Sequence, residues 1–140
     1  MATVTKDATV SVRLTAREKA GLDADARMKG IPSGTAAAAY IGEGVRRSRF
    51  PAIEFRDGQP GRVAFLAGSR WPVWLIVELV RELDGDLPKA VELIRKPAAL
   101  VRITLAYADA YPQEIADSAA VTARRDYAGM KQEIPELEQL

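Results

Sequence analysis

The sequence predicts a mostly α-helical fold in two units: a short strand with two helices, then a β-hairpin with three helices. Three observations carry that expectation. Residues Thr9 to Leu14, TVSVRL, alternate strictly between polar and apolar, the period of a strand with one buried face. Helix start and stop signals follow at Thr15, Gly30 and Ser33. After Pro51 the texture changes to two short β-prone runs around the turn-rich DGQPG, followed by helices that open at prolines. A chain of 140 residues with 48% apolar content makes one domain of average size or two small ones.

In the first unit, expected over 1–49, the strand places Val10, Val12 and Leu14 on one face and Thr9, Ser11 and Arg13 on the other. Thr15 and Glu18 have the spacing of a capping box, so a helix is expected from about Ala16 to Lys29, stopped at Gly30 in the left-handed conformation. Ser33 can cap a second helix from about Gly34 to Arg47, with Ala38, Ile41 and Val45 at helical spacing. A lone strand and two short helices leave backbone groups unpaired and enclose no core. Pairing with the same strand of a second copy answers both needs, so an intertwined homodimer with an antiparallel two-stranded ribbon is expected. Val10, Val12, Leu14, Ile41 and Val45 would form its core.

With its strand alternation, Gly30 stop and helix spacing, the segment Ala8 to Arg47 resembles the ribbon-helix-helix family of DNA-binding repressors and antitoxins. The resemblance implies that Thr9, Ser11 and Arg13 read bases in the major groove. It also implies that Ser33, Gly34 and Thr35 hold a phosphate, with Arg46 and Arg47 expected as further phosphate contacts. The chemistry agrees, because a ribbon fits the major groove, Arg can address guanine bidentately and free amides at a helix start attract anions. The chain departs from the family at Glu18, Lys19 and Gly21, where large aliphatics are usual, and at Gly42 and Gly44, each costing ~1 kcal/mol relative to Ala in a helix. The dimer core is therefore expected to be thin.

The second unit is expected over 50–115. Ala52 to Phe55 and Arg62 to Leu66 read as hairpin strands. From Pro72 a helix carries Val73, Ile76, Val77, Val80 and Leu83 on one face and Trp74, Leu75 and Leu79 on another. Such a helix is either sandwiched within its own domain or covered by a partner. A short helix from Asp86 and Pro88 to about Arg95 follows, then one from Pro97 to about Tyr111, stopped by Pro112. The letters FPAIEFRDG, GRVAFLAGSRWPVW and LAYADAYPQEI closely resemble the family known as domain of unknown function 433, found in VapB-type antitoxins and other small regulators. That resemblance implies a winged or helix-turn-helix-like fold and a regulatory setting, and it brings no active site. The last helix offers only Arg102 among base-reading side chains, so packing or partner contact is expected of it instead. Arg70, after Gly68 and Ser69, reads either as an anion contact or as a structural cover for Trp71.

Composition limits the chemistry. With no Cys and no His, the chain has no disulfide, no Cys or His zinc site and no imidazole catalyst. The acidic residues Asp57, Glu78, Glu82, Asp84 and Asp86 fall in turns or on helix faces without evident convergence, so an enzyme, a metal or a cofactor is not expected. Charge is uneven: residues 1–49 hold nine basic against five acidic residues, 50–111 are balanced, and 112–140 hold three basic against six acidic. A basic front suggests a nucleic-acid-facing module, although an ordinary solvated surface would give the same counts. The tail 116–140, helical to about Met130 and then acidic as KQEIPELEQL, reads as a frayed terminus or as a segment folding on a basic partner such as a toxin. Trp74, Leu79 and Tyr127 are the expected partner-binding positions. No apolar run approaches the ~20 residues of a membrane span, so a soluble, cytoplasmic protein is expected. The sequence thus points to a dimeric, sequence-specific transcriptional regulator, an antitoxin that represses its operon and neutralises a toxin. The alternative is an adaptor that dimerises and binds a partner protein without specific DNA contact.

Overall fold

The structure, a computed structural model of the single chain, describes residues 8–58 and 61–121. It is mostly helical with one small antiparallel sheet: α1 (Ala16–Lys29), α2 (Ser33–Arg49), β1 (Ile53–Asp57), β2 (Arg62–Leu66), α3 (Val73–Glu82), α4 (Leu87–Ile94) and α5 (Ala98–Ala110). A further helical segment covers 112–121. Pro112 therefore ends α5 and also opens the next helix, since proline's missing amide is harmless in a first turn. Tyr127 and the acidic decapeptide 131–140 lie outside the described residues. Two compact units divide between Gly42 and Glu43, inside α2, rather than after Arg49.

In the first unit, α1 has the expected bounds for the expected reason. The Thr15 hydroxyl accepts the Glu18 amide at 3.1 Å and the Glu18 carboxylate accepts the Thr15 amide at 3.3 Å. These bonds hold the Glu18 carboxyl below its ordinary range. At the other end Gly30 has φ 67°, and the Ile31 amide reaches back to the Ala26 carbonyl at 3.0 Å, the long bond of a Schellman stop. Among the described residues of this unit only Ala26 and Ala36 are buried hydrophobics. The ties between α1 and α2 are polar: Ser33 Oγ donates to Asp23 at 2.6 Å and Tyr40 OH donates to Asp25 at 2.6 Å. Residues 8–15 have no regular secondary structure, so the expected strand is absent from the single chain, where no neighbour supplies a ladder.

The second unit has a real core. β1 and β2 pair antiparallel, Ile53 opposite Leu66 and Asp57 opposite Arg62. A Cβ on Gly58, at the hairpin end, would stand 2.8 Å from the Val63 side chain, so a larger residue there would force a shift. One hydrophobic cluster gathers Ile53, Phe55, Val63, Val73, Trp74, Tyr107 and Ile115. The other gathers Leu66, Ile76, Ala90, Ile94 and Val101. α3 contributes to both, which explains why it is apolar on two sides: it is sandwiched within its own unit. Trp74 is only 8% exposed and Leu79 packs against the second cluster. The expectation that Trp74 presents a partner surface is thereby corrected, since its area is already used in the core, while Leu79 is half-buried against the second cluster.

Several of the letters that carried the second family resemblance are packing residues. Ser69 Oγ donates to the Leu66 carbonyl and accepts the Trp71 amide, fixing the turn that leads into α3. Tyr107, fully buried, donates its hydroxyl to Glu114 at 2.7 Å and meets Phe50 edge-on at 5.2 Å. Burial, and then the Glu114 carboxylate, push the Tyr107 phenol well above the ordinary tyrosine range. Thr104 is equally buried and satisfies its hydroxyl on the Leu100 carbonyl at 2.9 Å.

Candidate nucleic-acid interface

The arm leading into α1 is exposed along its whole described length, and Thr9, Ser11 and Arg13 are all open to solvent. Its apolar face is open too. Val10 is 71% exposed, Val12 58%, Leu14 42%, Ile41 44% and Val45 52%. All five residues expected in a dimer core are thus uncovered in the single chain. Val12 and Leu14 of the arm, Leu22 of α1, and Ala37, Tyr40 and Ile41 of α2 line an open groove of about 480 Å³, with Glu18 and Asp25 at its margin. Exposed aliphatics normally lie scattered, whereas Val12, Leu14 and Ile41 are gathered on one groove.

The start of α2 lies within the same unit. Its first turn has no acidic residue, and Gly34 and Thr35 are exposed while Ser33 is half-buried. Ser33 does not act as the expected side-chain cap. Its hydroxyl donates to Asp23, whose two carboxylate oxygens each also take Lys19 Nζ at 2.7 Å. The Lys19 and Ser33 hydrogen bonds hold the Asp23 carboxyl below its usual range. Nothing in the sequence periodicity announced this contact, because Asp23 and Ser33 are ten residues apart across the Gly30 turn.

Of the two arginines expected on phosphate, only Arg47 is exposed. Arg46 packs inward within the second unit, with its guanidinium 4.8 Å from the centre of the Phe55 ring and 5.9 Å from that of Tyr111. Its Nε lies 3.7 Å from the Glu114 carboxylate and is buried without a hydrogen-bond partner. The phosphate role expected of Arg46 is corrected accordingly: two aromatic faces and a carboxylate already hold it. Glu43, one turn earlier on α2, is buried and accepts Arg62 Nε at 2.6 Å, while Arg62 also reaches Asp57 and the Phe55 carbonyl. Those ties anchor the end of α2 on the hairpin.

Several other charged groups have structural partners. Glu54 pairs with Arg56, which holds the Glu54 carboxyl low, and Arg56 also covers the Phe65 ring at 4.3 Å. Glu78 pairs with Arg81 and Asp86 caps α4 by accepting the Lys89 amide at 3.2 Å. Arg70 is exposed. Among the described residues no group of three acidic side chains is placed to hold a metal ion, and no helix is long and apolar enough to cross a membrane. Compared with models of protein families, with curated proteins and with solved structures, the chain matches none.

Proposed function

We propose that the protein is a dimeric, sequence-specific DNA-binding regulator of the ribbon-helix-helix kind, acting as an antitoxin that represses its own operon and binds a toxin. The observation that supports this reading is a set of exposed aliphatics at the positions that a paired ribbon would bury: Val10, Val12, Leu14, Ile41 and Val45 all stand in water, and Val12, Leu14 and Ile41 line one groove. Two copies pairing their arms antiparallel would cover those residues and supply the backbone partners the arm lacks. Thr9, Ser11 and Arg13 would then project from the outer face of the ribbon, sized for the major groove. Gly34, Thr35 and Arg47 would meet the flanking phosphates. The second unit, with its closed core, takes the wing-bearing helical role and contributes no base-reading helix.

The test is a fluorescence titration of the full chain with a duplex from its own upstream DNA and with a random duplex of equal length, at two salt concentrations. The reading expects at least a hundredfold preference for the upstream duplex and a steep loss of affinity with salt. A dimer with no duplex affinity at low salt would replace it with the adaptor role.

A further inference from the structure

We propose that Asp23 is a built-in competitor of DNA phosphate: its carboxylate holds Ser33 and Lys19, the hydroxyl and ammonium that would otherwise grip the backbone. The inference rests on the DNA-binding reading above and adds a regulator to the same surface. Three contacts carry it. Ser33 Oγ donates to Asp23 Oδ1 at 2.6 Å, a short bond of the charge-assisted kind. Lys19 Nζ lies 2.7 Å from both oxygens of that carboxylate. The first turn of α2 brings no acidic residue of its own, so Asp23, reaching across from α1, is the anion at that helix start.

A phosphate oxygen and a carboxylate oxygen ask for the same donors. Both cannot have Ser33. For the backbone to be gripped, Asp23 must rotate off Ser33, and Lys19 must then choose between the displaced carboxylate and the incoming phosphate. The competition lowers affinity for every duplex alike, because phosphates carry no sequence information. It therefore leaves the ratio between upstream and random duplexes unchanged and sets the overall affinity, so that at a given concentration only a duplex that also satisfies the base-reading side chains is bound appreciably. Lys19 becomes a backbone contact that sequence spacing does not reveal.

The test is a double-mutant cycle on the full chain, read by titration of the upstream duplex and the random duplex at fixed salt. Asp23→Ala is expected to tighten both duplexes about five- to tenfold, and to do so by a clearly smaller factor when Ser33 is already Ala, where only the release of Lys19 remains. Circular dichroism on each variant establishes that α1 is retained. Unchanged or weaker binding by Asp23→Ala overturns the inference. An equal gain with and without Ser33 also overturns it, because that would be the mere loss of a negative charge near DNA. If neither the wild type nor Asp23→Ala binds any duplex, the DNA-binding reading itself fails and the competitor role falls with it.

Discussion

Replacing Arg46 by Ala separates what its side chain does from what its place beside Arg47 suggests. The guanidinium stacks near Phe55 at 4.8 Å and Tyr111 at 5.9 Å, contacts of a kind worth about 0.5–2 kcal/mol when partly desolvated. Its stem covers apolar surface, adding roughly 1 kcal/mol. The pair with Glu114 is long, 3.7 Å, and about a quarter of each side chain is exposed, so its loss adds at most ~1 kcal/mol after screening. Together Arg46→Ala is expected to destabilise the second unit by about 2–3 kcal/mol, a fall of roughly 10–20 °C in Tm for a unit of this size. Differential scanning calorimetry reads the change directly. Glu114→Gln should soften the Arg46→Ala loss, because no carboxylate is then left with Tyr107 as its sole partner, and the cycle isolates that coupling. A Tm unchanged within a degree, with DNA affinity lowered on all duplexes, would refute the buried placement and restore the phosphate role.

Five other outcomes follow from the same geometry. Arg47→Ala should leave Tm unchanged and weaken upstream and random duplexes equally in a titration, whereas Arg13→Ala should cost ~1–3 kcal/mol on the upstream duplex alone. Gly30→Ala should destabilise the first unit by about 1–2 kcal/mol, seen as lost helical ellipticity on heating, because alanine resists φ 67° although space is open there. Trp74→Ala should cost ~3–5 kcal/mol in chemical denaturation, the value of a core aromatic rather than of a partner-facing one. Glu18, Asp23 and Glu54 have carboxyls held below their ordinary values. Their contribution is complete above the unfolded values near 4 and is lost as pH falls through the folded ones. Tm should therefore be flat from pH 7 to 5 and decline below about pH 4.

What the letters revealed depended on whether the deciding interaction was local. Thr15 with Glu18, and Gly30 after Lys29, act within one helical turn, so the bounds of α1 could be read in advance. The hairpin and the proline-opened helices α3, α4 and α5 were readable for the same reason. The fate of α3 was not, because residues apolar on two sides look alike whether the second cover is the chain itself or another molecule. Arg46 and Arg47 are adjacent and chemically identical, and only the arrival of Phe55, Tyr111 and Glu114 from distant positions decides that Arg46 turns inward. Asp23 and Ser33 meet across a turn, a distance at which no periodic signal survives. Glu43 gave one usable hint, as a lone carboxylate within an alanine- and glycine-rich helix, and it is the residue that holds Arg62.

The arm and the groove hold the central claim, and a solution mass tests it most directly. Multi-angle light scattering of the full chain at micromolar concentration should give a particle of two copies, about 30 kDa from a 15.2 kDa chain. Val12→Glu with Ile41→Glu should return it to one copy while the second unit keeps its Tm, because a carboxylate covered at either position would be left unpaired. A wild-type mass of one chain would contradict the account.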